Sequence, residues 1–292
     1  MEFSQYMKLA IDEAKISLRE GNNGFGAVIV KDDQIISSAH DTEETEGDPT
    51  AHAEVNAIRE AASKLGKNLK GCILISTHEP CPMCSTAVVW SKMSGIAFGY
   101  SIKEAIMQGR KRIELTCDEI FKKANTNIKI YKGILNHECS ILYRKDVRIE
   151  IKKLRNADSA KLDELNADSV YRRVNWFQEN HEKFGFINDD ILNAGYNLLL
   201  KRFGITAEEM PIIKKSDKEI VFHSKNFCPT LEACKILGID TRKVCKKINE
   251  NSTDILIKQI NSQLSFSRNY EKIRPYTDYC EEMISIEVKN IE

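Results

Sequence analysis

The sequence has no excess charge of either sign, with 43 Lys+Arg balancing 43 Asp+Glu in 292 residues. Bulk charge therefore gives no signal for nucleic acid, an acidic substrate or a membrane surface, and such partners could be read only from local patches. Long apolar runs are also missing. Nothing approaches the roughly eighteen residues that span a bilayer, and Met1-Glu2-Phe3-Ser4-Gln5-Tyr6 is not a basic segment leading into an apolar core. The expectation is a cytoplasmic protein with no membrane partner. No internal repeat is found. Only one C-x-x-C occurs, so a four-cysteine zinc knuckle lacks its second half. What is present is the composition of a folded soluble chain, 42% hydrophobic and 29% charged, long enough for one large or two ordinary domains. Nine cysteines is a high and odd number, which in a cytosolic setting favours metal or redox use over a disulfide framework.

The chemistry concentrates in His52-Ala53-Glu54 and Pro80-Cys81-Pro82-Met83-Cys84. Cys81 and Cys84, spaced i,i+3 at the start of a helix, put both sulfurs on one face, and His52 at the start of another helix supplies a third ligand. A fourth coordination position is left for water. Glu54 is placed to move that water's proton, which makes the set hydrolytic rather than structural. Helix N-termini aimed at the same point favour thiolates.

Periodicity places a helix over 3–20 with its stop at Gly21, then a β-hairpin of Phe25–Val30 and Gln34–Ser38 around Lys31-Asp32-Asp33. Asp41 to Asp48 reads as an acidic loop. Ala51, Val55, Ile58, Ala62 and Leu65 recur at helical spacing, with His52 and Glu54 in the first turn. Strands are expected at 72–77, 96–100 and 128–131. The spacing predicts helices from Pro82 to about Lys92, over 103–108, and from about Leu135 to Lys152. This alternation implies an α/β fold on a five-stranded mixed sheet. A polar stretch at Asn156-Ala157-Asp158-Ser159 marks a boundary, giving domains 1–155 and 156–292.

Three segments carry a family resemblance: Phe25-Gly26-Ala27-Val28-Ile29-Val30, Asp48-Pro49-Thr50-Ala51-His52-Ala53-Glu54-Val55 and Glu79-Pro80-Cys81-Pro82-Met83-Cys84. With the H-x-E…P-C-x-x-C signature of zinc deaminases, residues 1 to about 154 resemble the cytidine-deaminase-like superfamily. The similarity is closest to the branch of guanine deaminases and bacterial tRNA adenosine deaminases. The resemblance implies a three-layer α/β/α domain, a homodimer, Zn2+ on His52, Cys81 and Cys84, and Glu54 as proton shuttle. It also implies a substrate pocket touching Phe25, Ala53 and Trp90. Two departures bear on substrate. Ala39-His40-Asp41 stands where the family usually carries an asparagine, so Asp41 offers acceptors only. Gly109-Arg110-Lys111-Arg112 replaces acidic residues of guanine deaminases, turning acceptors into donors. Both argue against guanine itself and for a base, nucleoside or nucleotide with an N–H facing Asp41 and an anionic group near Arg112. A small-molecule heterocyclic amine or nucleoside is thus expected. tRNA adenosine is the alternative, disfavoured by the neutral chain.

For 156–292 the expectation is a mainly helical α+β accessory domain. Helices are read at Tyr171–Phe184, Asp189–Phe203, Leu231–Leu237 and Arg242–Ile248, with Glu219–Phe222 extended. The last two helices flank Gly238-Ile239-Asp240 like a helix-turn-helix, and a small helical bundle with a solvated Lys/Arg face is preferred over nucleic-acid binding. Cys228, Cys234, Cys245 and Cys280 read as buried reduced thiols, with a second metal or redox site as the sharper alternative. A rival from another class is a non-catalytic ligand-sensing or nucleic-acid-binding protein. The intact Glu54 argues against it.

Overall fold

The computed structural model describes residues 2–188 and 190–287. Its chain divides into two compact units, Met1–Ile151 and Lys152–Glu292.

The first unit opens with α1 (Phe3–Glu20), whose buried face (Tyr6, Met7, Ala10, Ile11, Ala14, Leu18) has helical spacing and whose end is the left-handed Gly21 at φ 108°. Next come β1 (Gly26–Lys31) and β2 (Gln34–His40). Asp32 and Asp33 both take positive φ between them, the backbone of a two-residue hairpin turn that matches strand twist. The chain continues through α2 (Glu43–Glu46), α3 (Ala53–Leu65), β3 (Ile73–His78), α4 (Pro82–Trp90) and β4 (Gly95–Tyr100). It then forms α5 (Ile102–Met107), α6 (Cys117–Lys123), β5 (Lys129–Lys132), α7 (Asn136–Tyr143) and α8 (Lys145–Leu154). The sheet order is β2-β1-β3-β4-β5, with β1 antiparallel to β2 and β3 and β3, β4 and β5 parallel.

Side-chain alternation assigns the layers. Ala27 and Ile29 join Leu74, Ile96 and Phe98 in a core with Ala53, Ala57 and Ala61 of α3 and Val88 of α4. Gly26 points to the other face, against α1, where a Cβ would collide with the backbone carbonyl of Ala10. Only glycine admits that approach. Helices on both faces bury β1, β3 and β4 almost completely, as continuous apolar strands require.

The five-stranded α/β architecture agrees with the sequence expectation. Three local readings do not. The acidic segment after Asp41 contains α2. The single helix expected from Leu135 to Lys152 is two, because Arg144 is extended (ψ 131°) while its guanidinium and the Val147 N–H both bind the Asp146 carboxylate. α6 was missed although Thr116 and Glu119 form a capping box that the sequence displays.

The first whole helix of the second unit is α9 (Ser159–Asn180), capped by the Asp158 side chain, followed by α10 (Ile191–Phe203). Its first expected residue, Asp189, lies outside the described residues. β6 (Ile212–Lys215), β7 (Glu219–Ser224) and α11 (Pro229–Leu237) follow. α12 (Thr241–Val244) then runs through a π-helical stretch, Cys245–Glu250, into α13 (Asn251–Ile257), where one regular helix over 242–248 was expected. Ser252 and Thr253 hydroxyls bond back to the Ile248 and Asn249 carbonyls, competing with the regular ladder. β8 (Leu264–Arg268) and β9 (Cys280–Ile286) complete an antiparallel sheet of order β6-β7-β9-β8. Ile220, Phe222, Leu264 and Ile284 from its inner face pack on Leu198, Leu199 and Leu256. Only β7 of these four strands was expected.

Candidate active site

The local sequence makes His52 and Cys81 the N-caps of α3 and α4, with Pro82 at the first position of α4. Two helix N-termini thereby converge. His52 Nδ1 lies 3.7 Å from Cys81 Sγ and 3.5 Å from Cys84 Sγ, and the sulfurs are 3.6 Å apart. A tetrahedral zinc ion with ordinary Zn–S and Zn–N bonds needs edges of about 3.8 Å between sulfurs and about 3.5 Å between sulfur and nitrogen. The three donors form one face of such a tetrahedron, so the residues fit the metal.

Glu54 is the second residue of α3, 4% exposed. Its Oε1 accepts the Ser76 hydroxyl at 3.2 Å, and its Oε2 accepts the Cys84 thiol at 3.5 Å. Burial, reinforced by the neighbouring Cys81 thiolate, raises its pKa, a direction suited to a group that must take and return a proton. The contact with Cys84 and, secondarily, His52 hold Cys81 down to about 4. Cys84 itself is raised by the contact with Cys81, then by burial, while His52 rises to about 9 through its bond to Cys81.

The other ring nitrogen, His52 Nε2, faces Glu43 Oε2 at 3.9 Å, and Glu43 also accepts the Asn23 side-chain N–H at 3.0 Å. At that distance Glu43 places negative charge behind the imidazole without a hydrogen bond to it. Sequence reasoning missed Glu43 because α2 was read as loop. Glu79 has a supporting role: its carboxylate accepts the backbone N–H of Ile102 at 3.0 Å and of Cys117 at 3.1 Å, tying the starts of α5 and α6 to the segment between β3 and Cys81.

A cavity of about 550 Å³ opens here, lined among others by Phe25, His52, Glu54, His78, Cys81 and Arg112. Of the expected substrate contacts, Phe25 and Arg112 line it, with the Arg112 guanidinium 5.5 Å from the Phe25 ring centroid. Three others do not. Trp90, at the end of α4, is 80% exposed and outside the lining, because helical phase turns it opposite the core-facing Val88. Ala53 is fully buried in the core. Asp41 is fully buried too; its Oδ1 accepts the Asn23 backbone N–H at 3.0 Å, and it stands with Glu43 behind His52. Burial pushes the Asp41 carboxyl up, and it backs the ligand rather than lining the cavity.

His78 is the lining residue that the sequence reading overlooked. Its Nδ1–H donates to the Glu79 carbonyl (2.9 Å), leaving Nε2 as a buried acceptor without a hydrogen-bond partner among the described residues. Burial holds its pKa near 4. Because the folded value lies below the unfolded 6.5, the unfolded chain takes the proton first. Stability from neutral His78 is complete above about pH 6.5 and is lost as pH falls towards 4, by roughly 3 kcal/mol in the limit. His78→Leu should flatten that part of the acid limb in urea unfolding followed between pH 7 and 4. An unchanged slope would contradict the assignment.

Fold, donor set and buried carboxylate together define a zinc deaminase domain. Residues 1–100 match the family model "Cytidine and deoxycytidylate deaminase zinc-binding region". The chain is 38% identical over 160 residues to a tRNA-specific adenosine deaminase of Bacillus subtilis, covering 54% of this chain and 96% of that protein. A tRNA-specific adenosine deaminase of Aquifex aeolicus is 48% identical over 94 residues (32% of this chain, 62% of that protein). Guanine deaminase of Bacillus subtilis is 40% identical over 111 residues (37% and 71%). The chain belongs to the cytidine and deoxycytidylate deaminase zinc-binding family, and the cofactor of that family is zinc. Among the described residues, no helix is long and apolar enough to cross a membrane. Also among them, no set of three metal-donor side chains gathers in the second unit.

Proposed function

We propose that the chain catalyses hydrolytic deamination of an exocyclic amine on a nucleobase, nucleoside or related heterocycle, yielding a carbonyl and ammonia. The observation that carries this reading is the Glu54 carboxylate held 3.5 Å from Cys84 Sγ, beside the His52–Cys81–Cys84 face and inside a cavity. Zinc, when bound by these three residues, supplies Lewis acidity and brings the pKa of water towards neutrality. Glu54 takes the proton of the attacking water, gives it to the ring nitrogen and later serves the departing amine. Ser76 keeps the carboxylate oriented through Oε1. Phe25 offers the ring an apolar face.

The recognising groups are one acceptor and one donor. His78 Nε2 and Arg112 Nη2 are both buried and without hydrogen-bond partners among the described residues. A heterocycle edge presenting an N–H beside an acceptor satisfies both, and leaving either unpaired costs about 1–3 kcal/mol. A second reading, adenosine within tRNA, is favoured by Arg110, Lys111 and Arg112 together on the cavity wall. The cytoplasmic location and the homodimer belong to the same proposal, and exposed Trp90, Met107 and Ile113 offer apolar area for a second copy.

Ammonia release across free bases, nucleosides, nucleotides and tRNA tests the substrate class. Turnover should concentrate on one class, and Arg112→Ala should lower kcat/KM for it by about ten- to a hundredfold. Efficient deamination of free guanine that ignores Arg112→Ala would overturn the recognition scheme.

A further inference from the structure

The second unit contains its own cavity, about 270 Å³, between the π-helical stretch, the start of α11 and the inner face of its sheet. Its wall carries three guanidinium groups, Arg173, Arg268 and Arg274, against one carboxylate, Glu282. That carboxylate is already engaged: Arg268 Nε donates to it at 2.6 Å and the Ser224 hydroxyl at 2.5 Å. The other two arginines meet neutral groups. Arg173 donates to Thr253 Oγ1 and to Asn249 Oδ1, and Arg274 Nη1 donates to the Lys225 and Asn226 carbonyls at 3.2 and 2.8 Å. Arg268 Nη1 is buried with no hydrogen-bond partner among the described residues.

Such an arrangement is costly without a counter-ion. Arg173 is buried, and burial followed by the charges of Arg268 and Arg202 pushes its pKa down to about 9. Buried charges in folded proteins are ordinarily paired, and an unsatisfied guanidinium N–H loses the hydration it had in water. The N-terminus of α11, represented by Cys228, Pro229 and Thr230 in the wall, adds positive potential. Cys245 and Asn249 reach the cavity from the π-helical stretch, a local departure from regular helix of the kind that accompanies functional sites.

We propose that this cavity binds a phosphate-class oxyanion, held by Arg173, Arg268 and Arg274. Planar guanidinium forks match the oxygens of a phosphate group, and one dianion neutralises the two charges that Glu282 leaves uncompensated. The site is independent of the reaction proposed for the first unit.

The test is calorimetric titration of the zinc-loaded 292-residue chain at low ionic strength with inorganic phosphate and, separately, with a nucleoside 5′-monophosphate. Saturable binding is expected, weakened about tenfold or more by Arg274→Gln and retained by Arg112→Gln in the first unit. Since Arg274 also braces two carbonyls, arginine Nε–H NMR signals of the unaltered protein provide a second readout and should move with the same midpoint. Tighter binding of the monophosphate would identify a phosphomonoester as the source, and equal binding a free oxyanion. Both uphold the site. Absence of saturable binding together with unmoved arginine signals, or affinity that survives in folded Arg274→Gln and disappears in Arg112→Gln, would overturn it.

Discussion

Glu54→Ala should leave zinc bound at its wild-type stoichiometry and lower kcat by about two to four orders of magnitude, the range that general acid–base groups supply. The separation of the two effects follows from geometry. Glu54 is not one of the three donors on the tetrahedral face; it accepts from Ser76 and Cys84 beside that face. Removing a buried carboxyl whose pKa is already raised also relieves desolvation, so the variant should fold. Zinc content by elemental analysis, with ammonia release on the same sample, checks both halves. Retained turnover would remove Glu54 from the mechanism, whereas loss of zinc would make it a ligand.

Cys84→Ser should do the reverse, taking zinc content from about one per chain to a small fraction and turnover with it. Cys84 is fully buried, and its sulfur is one corner of the donor triangle. Serine nearly preserves volume and can still donate to Glu54, so packing changes little. A neutral hydroxyl, however, replaces a thiolate donor in a site built for soft ligands. Metal binding free energy is also folding free energy, and the unfolding midpoint of the zinc-loaded protein should fall towards that of the chelated wild type. Thermal unfolding with and without chelator measures this. Full zinc occupancy in the serine variant would contradict the three-ligand assignment.

How legible these features were depends on the range of the interaction. The metal set was readable because its ligands sit at helix starts, where Pro82 and the His-x-Glu spacing fix geometry within a few residues. β1, β3 and β4 of the first unit were readable because fully buried strands are written as apolar runs. Asp41, Ala53 and Trp90, expected as substrate contacts, fall outside the cavity lining, because which way a side chain turns at the end of a strand or helix depends on tertiary packing. Trp90 is exposed although aromatic, and Asp41 is buried although charged. His78 went unnoticed because it meets Phe25 and Arg112 only across the folded cavity, and Glu43 because α2 reads as loop in the sequence. In the second unit, strands such as Cys280–Ile286 mix Glu and Ser with apolar residues and pair over long separations, as β7 does with β9. Local pattern is weak there. The arginine cavity, assembled from α9, the sheet and the turn holding Arg274, left no trace in sequence spacing.

The central claim is that zinc held by His52, Cys81 and Cys84 works with Glu54 to release ammonia from a heterocyclic amine. Ammonia release measured against bound zinc in the wild type and in the two variants tests it most directly. The account predicts release proportional to bound zinc in the wild type, abolished by chelation and restored on zinc return. Glu54→Ala should be inactive at full zinc occupancy, and Cys84→Ser inactive with little zinc. Wild-type protein fully loaded with zinc that releases no ammonia from any base, nucleoside, nucleotide or tRNA offered, or release that persists after the metal is removed, would contradict it.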